Sequence, residues 1–326
     1  MNFNGIDSIV QALKERDDFI ITSHINPEGD SIGSQIAVFH ILKSLGKNVI
    51  MLNQDVVPDN LHFLCEGAPI YSALPETFRP KSAVIVDCPV KERTGAIIRQ
   101  IEQCDFLINI DHHISNNFFG TINWVESTAS STGEMIYHIV KKLGIPWNLF
   151  LAKAIYSAII TDTGMFNYDN TTRATHEIAG ELISYGIKPN NIFSKIFESK
   201  SIAHMRLLGK VLQTLTIEQN SSLAYMTLTR KMWDGESIND VATDEFISYP
   251  RSIKGVEVAI FFKEKPNMEN GKVSVSFRSS GSIDVNRLAG LFGGGGHARA
   301  SGCVIKGTVE EVQEMVLKEA KKIIKK

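Results

Sequence analysis

The run Phe106-Leu-Ile-Asn-Ile-Asp111-His112-His113 is apolar and β-rich until it stops at a carboxylate and two imidazoles. Two other runs stop in the same way: Phe19-Ile-Ile-Thr-Ser-His24, followed by Asn26-Pro-Glu-Gly-Asp30, and Ala83-Val-Ile-Val-Asp87. Short apolar runs that alternate with helical segments read as buried parallel strands, and an open parallel sheet gathers its ligands at the carboxyl ends of its strands. Residues far apart in sequence are therefore expected to meet at one sheet edge.

The residues that would meet are Glu28, Asp30, Asp87 and Asp111 with His24, His112 and His113. Oxygen and imidazole ligands of this kind suit Mn²⁺ or Mg²⁺ better than a thiolate-seeking ion. Crowded carboxylates repel and raise one another's pKa, and two cations sharing a bridging carboxylate relieve that repulsion. Asp87, alone on the middle run, is the natural bridge, and Asp162 in Thr161-Asp162-Thr163-Gly164, where the apolar stretch Ala154 to Ile160 breaks, would complete the second site. Taken singly, a strand-end Asp is often only a helix cap, and a His a satisfied core residue. Coincidence at three strand ends has no such structural explanation.

Around these motifs the first half alternates strand and helix. Asp30 to Leu45 carries Ile32, Ile36, Phe39 and Ile41 near helical spacing and stops at Gly46; Lys47 to Asn53 reads as a strand. Ser131-Thr-Gly-Glu134 opens a helix to Gly144, Asn148 to Ile160 is a mostly buried helix, and Thr172 caps another that ends near Gly186. The hydroxyls of Ser130-Ser131-Thr132 read as caps or, beside two metals, as a phosphate cradle together with free helix amides. From Gly186 to Leu215 the pattern is helical and polar, as in a connector.

Beyond it the pattern changes. Leu223 to Thr229, Val256 to Phe262 and Lys272 to Arg278 read as strands, Lys265 to Gly271 as an exposed polar loop, Asp284 to Phe292 as a short helix, and Thr308-Val-Glu-Glu311 as a capping box. The expected organisation is α/β: residues 1–186 with a mainly parallel sheet, a connector at 187–215, and a smaller α/β domain with a mixed sheet at 216–326. One glycine suffices to end the helix at Phe292, which leaves the others of Gly293 to Gly296 free to bring backbone N–H groups close to an anion. His297, Arg299, and Arg278 with Ser279 and Ser280 would add donors for a phosphate or nucleotide terminus; an ordinary surface salt bridge is the alternative for Arg278.

Composition narrows the classes. A chain of 326 residues with 43% hydrophobic content can fill two cores. Lys plus Arg number 34 against 36 Asp plus Glu, a formal charge of -2, which argues against a protein that coats long nucleic acid but permits a short oligonucleotide or a mononucleotide. Cys65, Cys88, Cys104 and Cys303 show no C-x-x-C spacing and suggest a reducing compartment; Cys88, beside Asp87, reads as a core thiol. The N-terminus lacks the apolar core of a signal peptide and no run is long enough to span a bilayer, so a cytoplasmic protein without a membrane partner is expected.

The segments His24-Ile-Asn-Pro-Glu-Gly-Asp30-Ser-Ile-Gly-Ser34, Val86-Asp87-Cys88, Asp111-His112-His113 and Thr161-Asp162-Thr163-Gly164 resemble, in order and spacing, the four motifs of the DHH phosphoesterase superfamily. Gly293-Gly-Gly-Gly-His297-Ala-Arg299-Ala-Ser-Gly302 resembles the glycine-rich signature of the DHH-associated substrate domain, so the resemblance spans nearly the whole chain. At this length the chain is most similar to the subfamily of nanoRNA hydrolases that also act as 3′-phosphoadenosine 5′-phosphate phosphatases.

The resemblance implies one Mn²⁺ held by His24, Glu28 and Asp87 and another by Asp30, Asp87, His112 and Asp162, with Mg²⁺ or Co²⁺ as substitutes. His113 would face the substrate phosphate as a catalytic residue beside Asp87, Asp111 would support the site, and Arg278, Ser280, Gly294, Gly295, Gly296, His297 and Arg299 would bind substrate. Glu28 departs from the usual Asp; its extra methylene bears on metal affinity rather than on reaction class. The implied substrates are short RNA, cut to 5′ mononucleotides in a cleft between the domains, and 3′-phosphoadenosine 5′-phosphate; a homodimer is left open. Competing readings are a hydrolase of linear dinucleotides, a manganese pyrophosphatase, against which the Gly293 to Gly302 signature argues, and a metal-impaired nucleotide sensor.

Overall fold

The structure, a computed structural model, describes residues 5–233, 243–264 and 271–324. The chain divides into two compact units, one ending at Ser199 and the other beginning at Lys200.

The first unit runs α1 (Ile6–Glu15), β1 (Phe19–Thr22), α2 (Gly29–Ser44), β2 (Val49–Leu52), β3 (Ile70–Tyr71), β4 (Ser82–Val86), α3 (Ile98–Ile101), β5 (Phe106–Asp111), β6 (Ile122–Val125), α4 (Thr132–Leu143), α5 (Leu149–Asp162), α6 (Arg173–Ser184) and α7 (Pro189–Phe197). Its strands form one sheet in the order β3-β2-β1-β4-β5-β6, every neighbouring pair parallel. Every residue of β1 and β4 is buried, because this sheet is covered on both faces: Phe19, Ile21, Val84 and Val86 join the core beneath α2, α4 and α5, while Ile20, Ala83 and Ile85 join a smaller core with Ile97 and Ile101. Chain order reverses between β1 and β4, and at such a switch point the loops leaving neighbouring strands diverge and open a crevice.

Two glycines of the first motif decide how the helices approach that crevice. A Cβ at Gly33 would lie 2.4 Å from the Ala154 carbonyl oxygen, and one at Gly29 would lie 2.3 Å from Thr161 Cγ2. Helices α2 and α5 therefore pack nearly backbone to backbone, which brings Asp30 in the first turn of α2 to Asp162 at the end of α5.

The second unit runs α8 (Ile202–Leu212), β7 (Thr216–Glu218), β8 (Leu223–Leu228), α9 (Ser248–Arg251), β9 (Val258–Lys263), β10 (Lys272–Ser279), α10 (Val285–Gly290), β11 (Gly295–His297), β12 (Ala300–Lys306) and α11 (Val309–Ile324). Its sheet, in the order β11-β12-β10-β9-β8-β7, is mixed: β8 and β9 are parallel and the other pairs antiparallel. Val273, Val275 and Phe277 alternate into a core closed by Val312 and Val316 of α11, while Ala259 and Phe261 of β9 face a second core with α8. The capping box at α11 forms as expected, Thr308 N donating to Glu311 Oε2 at 2.9 Å and Glu311 N to Thr308 Oγ1 at 3.3 Å.

One expectation is corrected. The segment 187–215 is not a connector outside both cores: α7 buries Ile192 and Ile196 in the first unit, and α8 buries Leu207, Leu208 and Val211 in the second. Their apolar residues recur at helical spacing within otherwise polar segments, and a narrow stripe of this kind is enough to dock a helix. Of the stretch expected as an exposed loop, residues 265–270 lie outside the described residues.

Candidate metal centre

The carboxyl ends of β1, β4 and β5 deliver the expected side chains to one place. His24 Nε2 lies 3.5 Å from Asp87 Oδ2, and His112 Nε2 lies 3.5 Å from Asp162 Oδ2 and 3.8 Å from both Asp30 Oδ2 and Asp87 Oδ1. Among the described residues, two trios have ligand atoms within 4.8 Å of one another: Asp30, His112 and Asp162, and Asp87, His112 and His113. His24, Glu28 and Asp87 do not form such a trio. Glu28 stands exposed at the start of α2, where its N–H donates to Ser31 Oγ at 2.8 Å.

The backbone prepares each ligand. The His24 ring donates from Nδ1 to the Ile25 carbonyl at 2.7 Å and the His112 ring from Nδ1 to the Ala129 carbonyl at 3.2 Å, so both turn Nε2 toward the carboxylates. Asp30 accepts from the backbone N–H groups of Thr132 at 2.8 Å and Gly133 at 2.9 Å and from Ser34 Oγ at 3.0 Å. These are the first amides of α4, where free N–H groups and the helix dipole favour an anion. Of the two readings of Ser130 to Thr132, the cap is the one found: Ser131 caps the helix, and the amides beyond it hold a carboxylate of the protein rather than standing free for a phosphate. Asp87 adopts φ 53, a left-handed backbone that costs strain in a residue other than glycine and is tolerated where the surroundings over-determine it.

Electrostatics express the crowding. Burial, then the charge of Asp30, lifts the Asp87 carboxyl well above the usual range, and the same two causes push Asp162 up to about 7. Burial opposes protonation of His113, but its bond to Asp111 and the charges of Asp87, Asp111 and Asp30 outweigh burial and raise it to about 9. Burial lowers His24, and the nearby Arg93 adds to the effect. Groups that resist ionisation together on an edge built for ionised ligands fit divalent cations, whose charge would replace the missing compensation.

Asp111 takes the supporting place. Fully buried, it accepts from His113 Nδ1 at 2.7 Å and from Asn116 Nδ2 at 2.5 Å. Asn116 also donates to Asn109 Oδ1 at 2.8 Å, and Asn109 donates to the Cys88 carbonyl at 3.2 Å, which ties β5 to the turn after Asp87. Sequence reading missed both asparagines. Asn109 did carry a signal, since an amide in the middle of a buried strand needs partners. Asn170 was missed as well; its Nδ2 donates to the Ser130 carbonyl at 2.8 Å and the Asp162 carbonyl at 3.1 Å. Cys88 is the expected core thiol, buried with its Sγ 3.1 Å from the Val90 carbonyl.

In the second unit, β12 pairs with both β10 and β11 so that Arg278, Ala300 and His297 share one cross-strand row. Arg299 lies in the turn joining β11 to β12 and Ser280 just past β10, so these candidate residues gather at one end of the sheet. The glycines read differently from expectation. Gly293 has φ 72 after α10, a Cβ at Gly294 would lie 2.2 Å from the Gly302 carbonyl, and Gly296 has φ 146 with a Cβ 2.5 Å from the Ala300 carbonyl. Gly293 thus ends α10 through its left-handed backbone, as expected of one glycine, and Gly294 and Gly296 are required by the hairpin itself; Gly295 alone of the four has neither a left-handed φ nor a close backbone neighbour, its nearest contact being Asn286 Oδ1 at 3.7 Å.

Comparison with known proteins adds the family. Residues 18–159 match the DHH family, N-terminal domain, and residues 220–326 the DHHA1 domain. A Thermus thermophilus protein named bifunctional oligoribonuclease and PAP phosphatase NrnA is 32% identical over 91% of this chain and 87% of its own length. The Bacillus subtilis protein of the same name is 28% identical over 91% of this chain and 92% of its own. Among solved structures, an exopolyphosphatase-related protein from Bacteroides fragilis aligns with a TM-score of 0.88 at 28% identity, covering 98% of this chain and 97% of that one. With both domain signatures present and the likeness spanning nearly the full length, the chain belongs to the DHH family and is a hydrolase of the phosphoesterase class.

Proposed function

We propose that this enzyme cleaves short oligoribonucleotides to 5′ mononucleotides and hydrolyses 3′-phosphoadenosine 5′-phosphate to AMP, with two Mn²⁺ ions as cofactor. The observation that carries the reading is the meeting of two overlapping ligand clusters on one sheet edge, in a chain whose full-length relatives bear the names of those two activities. Asp30, His112 and Asp162 would hold one ion, His24 and Asp87 the other, with Asp87 shared and Glu28 contributing through its longer arm. Bound there, the cations would neutralise phosphate charge and lower the pKa of a water toward neutrality.

The protein's own groups do the rest. Asp30 arrives fixed by its three donors, so little side-chain motion has to be arrested during turnover. His113, held at Nδ1 by Asp111, keeps Nε2 for the substrate phosphate, where an imidazolium stabilises developing negative charge or supplies a proton. In the second unit, Arg278 and His297, with Arg299, Ser280 and the backbone around Gly295, would bind the non-reacting end of the nucleotide. The test is a turnover panel in Mn²⁺ of pApA, pentaribonucleotide, 3′-phosphoadenosine 5′-phosphate, cyclic dinucleotides and pyrophosphate. Hydrolysis of the first three supports the proposal; activity on pyrophosphate alone, or nucleotide binding with no turnover on any of them, overturns it.

A further inference from the structure

The sheet edge that carries the ligands continues past them. At the ends of β2 and β3 it forms a cavity of about 280 Å³ lined by Val56, Val57, Ile70, Tyr71, Asn53 and His62, among others. Tyr71 is 42% exposed and Val56 85%, so an aromatic ring and an aliphatic side chain face solvent at a concave place in the protein. The polar groups beneath them are already engaged: Asn53 exchanges hydrogen bonds with Gln35, each at 3.0 Å, and His62 Nε2 is bonded to the Val57 carbonyl at 2.7 Å. Asp55 and Ser72 also line the cavity, and beside them Val56, Val57, Ile70 and Tyr71 leave an apolar, stackable wall of a size for one ring system rather than a drug-sized molecule.

This cavity is wired to the metal edge through the backbone. Asp55 Oδ2 accepts from the Asn26 N–H at 2.7 Å, two residues past His24, and Gln54 accepts from the Ala96 N–H at 2.7 Å. The segment so held carries Arg93, whose carbonyl accepts from the Ile25 N–H at 2.7 Å. Arg93 is half-buried, and among the described residues no carboxylate lies within ion-pair distance of its guanidinium. The turn that carries Arg93 is therefore bonded both to the loop after β1 and to the loop after β2, and successive parallel strands are spaced so that the cavity, two strands along from β1, lies on the order of 10 Å from the β1 end. Anionic linkage at the metals, cation alongside and flat apolar wall beyond is the order in which a nucleotide presents phosphate and base.

We propose that this cavity is a nucleobase subsite of the first unit, in which a base of the oligonucleotide stacks on Tyr71 while Arg93 accompanies the phosphate joining it to the reacting group. The proposal rests on the phosphoesterase reading above and adds to it a base-binding surface on the catalytic unit itself, separate from the glycine-rich hairpin.

The experiment compares Tyr71→Ala, Tyr71→Phe and wild type on three substrates in Mn²⁺: pApA, an analogue of pApA with abasic sugars, and a small aryl phosphodiester. Stacking of a base on an aromatic side chain supports a rise in KM of about tenfold for pApA with Tyr71→Ala, kcat being kept. Tyr71→Phe, which keeps the ring, should match wild type, and the abasic and aryl substrates should be indifferent to either change. Equal KM for pApA in wild type and Tyr71→Ala overturns the subsite, as does an equal loss on all three substrates, which would mean that Tyr71 serves the fold. Wild-type protein inactive on every substrate would instead overturn the hydrolase reading from which the subsite follows.

Discussion

The metal edge of the first unit and the glycine-rich hairpin of the second both drew attention as sequence, but their residues are held in opposite ways. At the metal edge the side chains are buried, bonded to backbone groups and electrostatically strained, as with Asp87 in a left-handed conformation among carboxylates that resist ionising. At the hairpin the side chains are exposed, and the unusual residues serve the backbone: Gly293, Gly294 and Gly296 are needed for the chain to turn and lie on β12. A cluster that is costly to assemble points to chemistry, since its cost has to be offset by a ligand. A glycine run has a cheaper explanation, so the binding proposed there would rest on Arg278 and His297 more than on the glycines.

The sharpest way to break this contrast is at Asp87. Replacing it by alanine should abolish turnover, a loss on the order of a thousandfold or more if the cations supply several kcal/mol of transition-state stabilisation. The same change should leave the fold intact and, in chelator, raise the melting temperature, because it removes a buried carboxylate from beside Asp30. Near-normal activity in the folded variant would refute the shared-ligand assignment.

A smaller loss is expected on the supporting network. Asp111→Asn removes the anion that holds His113 Nδ1 and should lower kcat by about 10- to 100-fold, as replacement of outer-shell partners typically does. On the hairpin side, Arg278→Ala should lower kcat/KM on a dinucleotide by about 10- to 100-fold, a charge-assisted phosphate contact being worth about 1.5 to 3 kcal/mol. A small aryl phosphodiester should be hydrolysed as before; equal damage on both substrates would place Arg278 in support of the fold.

The strand-end motifs were legible because parallel topology turns sequence into place: an apolar run that stops at Asp or His announces both a buried strand and the edge where it ends. The two-unit organisation was equally legible in the change from continuous apolar runs to the alternation of Val273, Val275 and Phe277. What remained hidden was relational. Nothing local in Thr132-Gly133 says that their amides will hold Asp30, which is 102 residues away from Thr132. Asn116 and Asn170 are ordinary loop residues until the fold brings them to Asp111 and Asp162, and Arg93 meets the loop after β1 through a backbone bond to Ile25. The connector was misread because a narrow apolar stripe on a polar helix is weak in sequence and sufficient in packing.

The pH dependence of the metal-free protein sharpens the electrostatic half of the contrast. Asp162, raised to about 7, keeps a proton in the folded state that the unfolded chain releases near its ordinary value of 3.8, so its contribution to stability falls as pH rises between those limits. His113, raised to about 9 from 6.5, contributes stability that is lost as pH rises through about 9. Both act in the same direction. Chelated protein should therefore melt a few degrees lower at pH 8 than at pH 6, and added Mn²⁺ should remove much of the difference. A pH-independent melting temperature in chelator would contradict the crowding. The smallest effect is expected from Glu28→Asp, which should shift Mn²⁺ affinity or rate by less than about tenfold with substrate preference unchanged, because the side chain stands exposed at the rim of the cluster.

The proposed dinuclear centre turns on how many Mn²⁺ ions the first unit would take up and whether they would share a ligand. Titration of the protein with Mn²⁺, followed by electron paramagnetic resonance at low temperature, reports both. Two ions per chain with an exchange-coupled signal, converted by Asp87→Ala to uncoupled or singly occupied protein, is the predicted result. One ion per chain, or two uncoupled ions in the wild type, would contradict it.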